Sequence, residues 1–176
     1  MGPRFRGDDS CTMTSTLRSG IIAAVATLLI DQASKLWLLH VFHLGDRYPP
    51  RVPITPFFDL ELAWNIGISF GWLQNDSQFV QLGLMAVKAL AVVALAIWMA
   101  RSHTRLATFA LGLIIGGAIG NAIDRLAYGA VVDFALFHIG NTFYWYVFNL
   151  ADTAIVAGVF ALLYDSFLGV GAAKAP

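Results

Sequence analysis

The feature that most limits how this chain can fold is an uncharged apolar stretch over residues 106–123. About 20 consecutive apolar residues in a helix cross the hydrocarbon core of a bilayer, so the stretch is close to the minimum for one membrane span. Gly112, Gly116 and Gly120 recur within it at every fourth position, and this spacing lets two helix backbones approach closely. The stretch therefore predicts a membrane helix that packs tightly against its neighbours.

Three further apolar stretches extend this prediction to a bundle of four membrane helices. The predicted spans cover about residues 20–44, 78–100, 106–124 and 149–170. The composition agrees, since 58% of the residues are hydrophobic and 12% are charged, against about 25% charged residues in soluble domains. We predict an all-α membrane protein with a single domain over residues 19–170, flanked by a mobile N-terminal tail, 1–18, and a C-terminal tail, 171–176.

The connection between the first two spans, residues 46–76, has a different composition. Its first part is rich in proline, at Pro49, Pro50, Pro53 and Pro56. From Phe57 to Trp64 apolar and polar residues partly alternate, which is typical of a half-buried strand. We predict a small β-element outside the membrane, held at the interface by aromatic side chains.

The distribution of Lys and Arg outside the spans predicts the orientation of the bundle. An even number of spans places both termini on one side, which carries six basic residues, Arg4, Arg6, Arg18, Arg101, Arg105 and Lys174. The other side carries three, Arg47, Arg51 and Arg125. Because basic residues are enriched in cytoplasmic loops, we expect both termini in the cytoplasm and segments 46–76 and 125–148 on the far side.

Ionisable residues inside the predicted spans are candidates for function, because burying a charge in a membrane is costly. Asp31 and Lys35 lie four residues apart on one face of the first helix, in the order that favours an ion pair. A mutually neutralising pair that fixes the helix explains them well. Lys88 is the one charge of the second span, and it either reaches the interface or pairs with an acid on another helix.

The densest group of polar residues lies where the third span ends and the fourth begins. It comprises Asn121, Asp124, Arg125, Asp133, Asn149 and Asp152. The first three share a helix face at positions i, i+3 and i+4, and the last two are again three apart. Helix caps and an Asp124–Arg125 pair are the structural alternative, but three acids near one arginine exceed what packing needs.

Two carboxylates that share a site support hydrolysis without a metal. They cannot both ionise easily, so one acts as a general base while the other keeps a proton and acts as a general acid. The base activates a water that attacks an amide carbonyl, and such catalysis is typically worth about 100- to 10,000-fold in rate. Spacing alone leaves Asp124, Asp133 and Asp152 as candidates for this pair.

Other classes of function fit the sequence less well. The four histidines include no H-x-x-x-H pair around a glutamate, so no metal and no other cofactor is expected. Residues 67–71 match the motif G-x-S-x-G at Ser69, but the chain lacks the alternating strand–helix pattern that this nucleophile requires. A proton-coupled transporter or channel would spread acids through the membrane as a relay, whereas here they concentrate at one end. The 11 basic and 11 acidic residues balance, which argues against a nucleic-acid partner.

Five segments, in order, resemble the signature of the lipoprotein signal peptidases (signal peptidase II), aspartyl endopeptidases of the bacterial inner membrane. The resemblance covers about residues 25–168, and its segments are 31–35 (DQASK), 64–70 (WNIGISF), 116–125 (GGAIGNAIDR), 131–134 (VVDF) and 148–152 (FNLAD). The family usually has Thr where this chain has Ile66, so one hydroxyl is lost.

The resemblance implies four membrane helices with a small extracytoplasmic β-element and a surface helix. It implies an enzyme, embedded in membrane lipids, that cuts signal peptides on the periplasmic side before a diacylglyceryl-modified lipobox Cys of prolipoproteins. We expect the enzyme to be a monomer. The resemblance assigns the catalytic dyad to Asp133 and Asp152 and gives Asp124 a structural role with Arg125. Residues that line the substrate site would be Asn65, Asn121, Arg125 and Asn149, and residues that support the fold would be Asp31 and Lys35.

Overall fold

The computed structural model describes residues 8–66 and 78–172. Its helices are α1 (Asp8–His40), α2 (Gln78–Arg101), α3 (Arg105–Tyr128) and α4 (Leu150–Ala172), with a 3-10 turn at Leu44–Asp46. Its strands are β1 (Arg51–Thr55), β2 (Phe58–Asn65), β3 (Val131–Ile139) and β4 (Phe143–Tyr144), and they form an antiparallel sheet in the order β1-β2-β3-β4. The chain is therefore mostly helical, with a small sheet.

The last three helices lie within a few residues of the predicted spans, but the first does not. Helix α1 begins at Asp8, so residues 8–18, predicted as a mobile tail, are helical. Polar residues end a membrane span, but they do not end a helix. A helix ends only where the backbone leaves the helical conformation. The backbone does so at the other end, where His43 adopts a left-handed conformation with φ of 51°, so α1 stops at His40.

Three helical segments in the described ranges are long and apolar enough to cross a membrane, by length and composition. They are Ser15–Asp46, Arg105–Tyr128 and Leu150–Phe167. Helix α2 does not belong to this set, so a fourth span stays a prediction.

Helix α3 is the centre of the bundle, because its glycines bring two neighbouring helices into backbone contact. A Cβ atom added at Gly116 would overlap the carbonyl oxygen of Ala24 in α1. One added at Gly117 would lie 2.6 Å from the carbonyl oxygen of Ala151 in α4. The prediction that the glycine pattern permits close packing is thus confirmed for Gly116 against α1, and the adjacent Gly117 allows α4 the same close approach.

Strand β3 was not predicted from the sequence, and it is one of the two inner strands of the sheet. Its first six residues, 131–136, are all buried, so they form a continuous buried run without the alternation that reveals a half-buried strand. Strand β2, predicted from its alternation, pairs antiparallel with β3 and places Ala63 opposite Asp133. The sheet therefore combines the predicted β-element with the segment after α3.

Backbone hydrogen bonds join β3 to the start of α4. The amides of Phe134 and Ala135 donate to the carbonyl of Phe148, and the amide of Phe148 donates to the carbonyl of Ala135. These bonds bring the first turn of α4 beside the start of β3. Residues 67–77, which include the Ser69 motif, lie outside the described residues, and the surface helix implied by the resemblance has no counterpart in the described ranges beyond the 3-10 turn.

Candidate active site

Asp133 lies on β3 with both carboxylate oxygens held by amide donors. The side-chain nitrogen of Asn149 donates to Oδ1 at 2.6 Å, and that of Asn65 donates to Oδ2 at 3.0 Å. The residue is 1% exposed. Burial raises the pKa of Asp133 above its ordinary value and the charge of Asp152 adds to the rise, while the hydrogen bonds from Asn65 and Asn149 oppose it.

Asp152 lies in the first turn of α4 and is only partly buried. Its backbone amide donates to Oδ1 of Asn149 at 2.9 Å, and its carboxylate accepts a longer bond from the Asn149 amide at 3.4 Å. This reciprocal pair is a helix cap of the capping-box kind. The side-chain nitrogen of Asn121 donates to Oδ1 of Asp152 at 2.8 Å. The Asn149 side chain therefore contacts both acidic residues: its nitrogen donates to the Asp133 carboxylate, and its oxygen accepts from the backbone amide of Asp152.

A second cluster, formed by Asp31, Lys35 and Asp124, lies next to the acids and is almost fully buried. The Lys35 ammonium is 2.8 Å from Oδ2 of Asp31 and 2.7 Å from Oδ2 of Asp124. Asp31 also accepts the Ala151 amide at 3.0 Å, and Asp124 accepts the Val132 amide at 3.1 Å. We call these three residues the lysine cluster; it joins α1, α3, β3 and α4.

The lysine cluster confirms one predicted contact and corrects another. Asp31 and Lys35 form the expected pair. Asp124, however, pairs with Lys35 and not with Arg125, whose guanidinium donates to the backbone oxygen of Asn121 at 3.1 Å. Consecutive helical residues project about 100° apart and do not face each other, which explains why the Asp124–Arg125 pairing was wrong.

An apolar cavity of about 620 Å³ opens beside the acids, between α2 and α3. Its polar lining residues are Lys88, Asn121 and Arg125. Asn121 belongs both to the cavity wall and to the contacts of Asp152, so the cavity adjoins the acids. A cavity with this lining has room for an apolar chain.

Comparisons with known proteins decide the family. The family model of signal peptidase (SPase) II matches residues 23–168, which is most of the chain. The chain belongs to the signal peptidase II family.

Relatives of this signal peptidase II cover nearly its full length. A lipoprotein signal peptidase of Nitrobacter hamburgensis is 72% identical over 163 residues, which cover 91% of this chain and 98% of the relative. One from Rhodopseudomonas palustris (strain TIE-1) is 64% identical with the same coverage. A solved bacterial membrane enzyme, determined by the in meso method at 2.3 Å resolution, superposes with a TM-score of 0.71 at 26% identity over 90% of this chain and 92% of that one.

Family membership supports the peptidase prediction over the transporter alternative, and the arrangement of the acids agrees. Asp31, Asp124 and Asp152 are linked through Lys35 and Asn121 into one connected group and are not spread along the bundle. Among the described residues, no three His, Cys, Asp or Glu side chains gather as metal ligands would.

Sequence reasoning missed two features of this signal peptidase II. Gln32 donates to Oδ1 of Asp124 at 2.9 Å and to the backbone oxygen of Gly120 at 3.2 Å, and its presence in the DQASK segment was the available signal. On the sheet, Arg51 and His138 approach the buried Asp59 at 3.7 and 3.2 Å. That contact joins β1, β2 and β3, and no local spacing reveals a contact between such distant strands.

Proposed function

We propose that this signal peptidase II removes signal peptides from diacylglyceryl-modified prolipoproteins and that Asp133 and Asp152 activate the attacking water. The observation that carries the proposal is the double role of Asn149, whose side chain contacts both acids. One fully buried side chain thereby ties the Asp133 carboxylate to the backbone of Asp152. The Asp152 carboxylate itself accepts from the backbone amide of Asn149 and from the side chain of Asn121. Asp124, the third candidate, is committed to Lys35 and to the Val132 amide.

The two acids have different surroundings, which suits them to different roles. Asp133 is deeply buried and burial raises its pKa, which favours Asp133 as the member of the pair that keeps a proton. Asp152 is partly exposed and accepts a proton from water as the water attacks the scissile carbonyl. Asp133 donates its proton to the carbonyl oxygen. Asp152 then passes the proton from water to the amide nitrogen of the modified Cys, and the C–N bond breaks. One hydroxyl of the tetrahedral intermediate returns its proton to Asp133, which leaves a carboxyl group on the signal peptide.

The remaining polar residues support this chemistry in distinct ways. Asn65 and Asn149 hold Asp133, and Asn121 holds Asp152. Arg125 lies at the cavity, where it positions the peptide beside the acids. The lysine cluster of Asp31, Lys35 and Asp124 fixes the elements that carry the two acids.

We further propose a monomer with one domain over residues 19–170, four spans including α2, and both termini in the bacterial cytoplasm. The acids then lie at the periplasmic interface of the inner membrane, where the diacylated Cys would lie. Large exposed aromatic side chains surround the same end of the bundle, namely Trp64, Tyr128, Trp145 and Tyr146. Trp and Tyr are enriched at that depth, which supports this placement.

A cleavage assay with purified protein and a diacylated prolipoprotein tests the dyad. Asp133→Asn and Asp152→Asn should each abolish cleavage while thermal unfolding in detergent stays cooperative. The matched control is Asp165→Asn, which changes an acid at the opposite end of α4 that contacts Thr104; it should cleave at the wild-type rate. Full activity in either dyad variant would refute the assignment, and equal cleavage of an unmodified prolipoprotein would refute the lipid requirement.

A further inference from the structure

The Lys35 ammonium has a third contact beyond its two acids. Lys35 donates to Oδ1 of Asn121 at 3.1 Å, in addition to Asp31 and Asp124. An ammonium group has three donors and no acceptor, so these three oxygens use all of them. Lys35 is 2% exposed, and water therefore does not compete for the donors.

The contact with Lys35 determines which way the Asn121 amide faces. Oδ1 of Asn121 accepts from Lys35 and from the side-chain nitrogen of Asn149, each at 3.1 Å. The Asn121 nitrogen consequently faces Asp152 and donates to its carboxylate at 2.8 Å. A flipped amide would set its NH2 group against an ammonium and a second NH2, and its oxygen against a carboxylate. All three contacts would become repulsive.

We propose that Lys35 is a positioning residue for Asp152, acting through the Asn121 amide. The proposal rests on the catalytic role proposed for Asp152 and deepens it. Among the described residues, Lys35 does not line the cavity and makes no hydrogen bond to either dyad acid, although its positive charge also acts on Asp133 through space. Its loss should therefore lower kcat and leave KM unchanged, because the substrate still binds but Asp152 loses its oriented donor.

A comparison of two variants separates this role from simple stabilisation. The lysine cluster carries two acids and one base, so Lys35→Met alone would leave two buried carboxylates unpaired. Asp31→Asn/Lys35→Met keeps the original net charge of the cluster, and Asp31→Asn alone is the control that retains the Lys35–Asn121 contact. We expect kcat of the double variant to fall roughly 10- to 100-fold below that of Asp31→Asn, within the range of acid–base catalysis, with KM changed less than about twofold.

A mutant cycle with Asn121→Leu supplies a second readout. If Lys35 acts through Asn121, removing Lys35 should cost little further kcat in a protein that already carries Asn121→Leu. Equal losses with and without the Asn121→Leu substitution would overturn the proposal, as would a fall in the unfolding temperature without a fall in kcat. The same comparison can be made with the other acid of the cluster neutralised: kcat of Asp124→Asn/Lys35→Met is measured against kcat of Asp124→Asn.

Two outcomes distinguish a failure of this proposal from a failure of the proposed function. Full activity of Asp152→Asn in the same assay would remove the dyad itself, and the role of Lys35 with it. Inactive Asp152→Asn together with additive losses from Lys35 and Asn121 would refute the positioning role alone. If neither double variant folds while both single Asp variants do, Lys35 is structural and the proposal fails.

Discussion

Asn149 offers the sharpest test of how the site is held together, because its buried side chain serves three partners. Replacing it with Ala removes the cap of α4, which is worth about 0.5–2 kcal/mol. The same change strips one donor from the buried Asp133 carboxyl, at a cost of about 1–3 kcal/mol for an unsatisfied group. We therefore expect the free energy of unfolding to fall by about 1.5–5 kcal/mol, and cleavage to fall below about 1% of wild type because both acids lose their common anchor.

Thermal or denaturant unfolding in detergent, followed by tryptophan fluorescence, measures the free energy of unfolding. The prolipoprotein assay measures cleavage. Asn141→Ala is the matched control, since Asn141 is exposed in the turn between β3 and β4 and should change neither. Asn149→Asp separates the two effects, because it keeps an oxygen for the Asp152 amide but loses the donors to Asp133. The reasoning is refuted if Asn149→Ala unfolds within about 0.5 kcal/mol of Asn141→Ala, the range of an ordinary surface substitution.

Three further predictions concern the support of the site and its titration. Asp124→Asn should lower the unfolding temperature more than kcat, because Lys35 keeps Asp31; a variant of normal stability without turnover would identify Asp124 as the true partner of Asp152. Gly116→Ala should destabilise the protein by about 1–3 kcal/mol, because the added Cβ overlaps α1. The control Gly83→Ala has nothing within 4 Å of its added Cβ and should stabilise the protein by about 0.5–1 kcal/mol. Equal unfolding temperatures of the two variants would contradict the close packing of α3 on α1. The pKa of Asp133 is raised in the folded state. Its contribution to stability is therefore present below the unfolded pKa and is lost as pH rises through the folded pKa. Asp133→Asn should flatten that part of the curve of unfolding temperature against pH, and an unchanged curve would contradict the raised pKa.

The helices were the most predictable part of the fold, because each long apolar stretch leaves few alternatives to a helix. The start of α1 was missed, since hydropathy marks where a chain leaves the membrane and not where a helix begins. Strand β3 was missed because its buried start has no alternation. For the site, spacing brought Asn121, Asp124 and Asp152 to one end of the bundle. It left three acids as equal candidates, and only the resemblance singled out Asp133 and Asp152.

The pairing of Lys35 with Asp124 could not be predicted from spacing, because it joins two helices that are far apart in sequence. The same holds for Asn149, whose contact with Asp133 depends on how β3 lies against α4. Local periodicity indicates which residues share a face. It does not indicate which helix faces meet in the folded protein. The partners of a buried charge depend on which faces meet, so local periodicity does not predict them.

The lysine cluster also bears on when the enzyme becomes active during its own synthesis. Asp124 binds the Val132 amide and Asp31 binds the Ala151 amide, so each bond fixes the residue that directly precedes one of the two acids. One of these bonds joins α1 to the start of α4, which follows it by more than 100 residues in the chain and is therefore synthesised later. A nascent chain whose final helix has not docked therefore carries two acids at no fixed separation. If the proposed dyad is correct, proteolytic activity would then appear in one step, when α4 docks against α1 and α3.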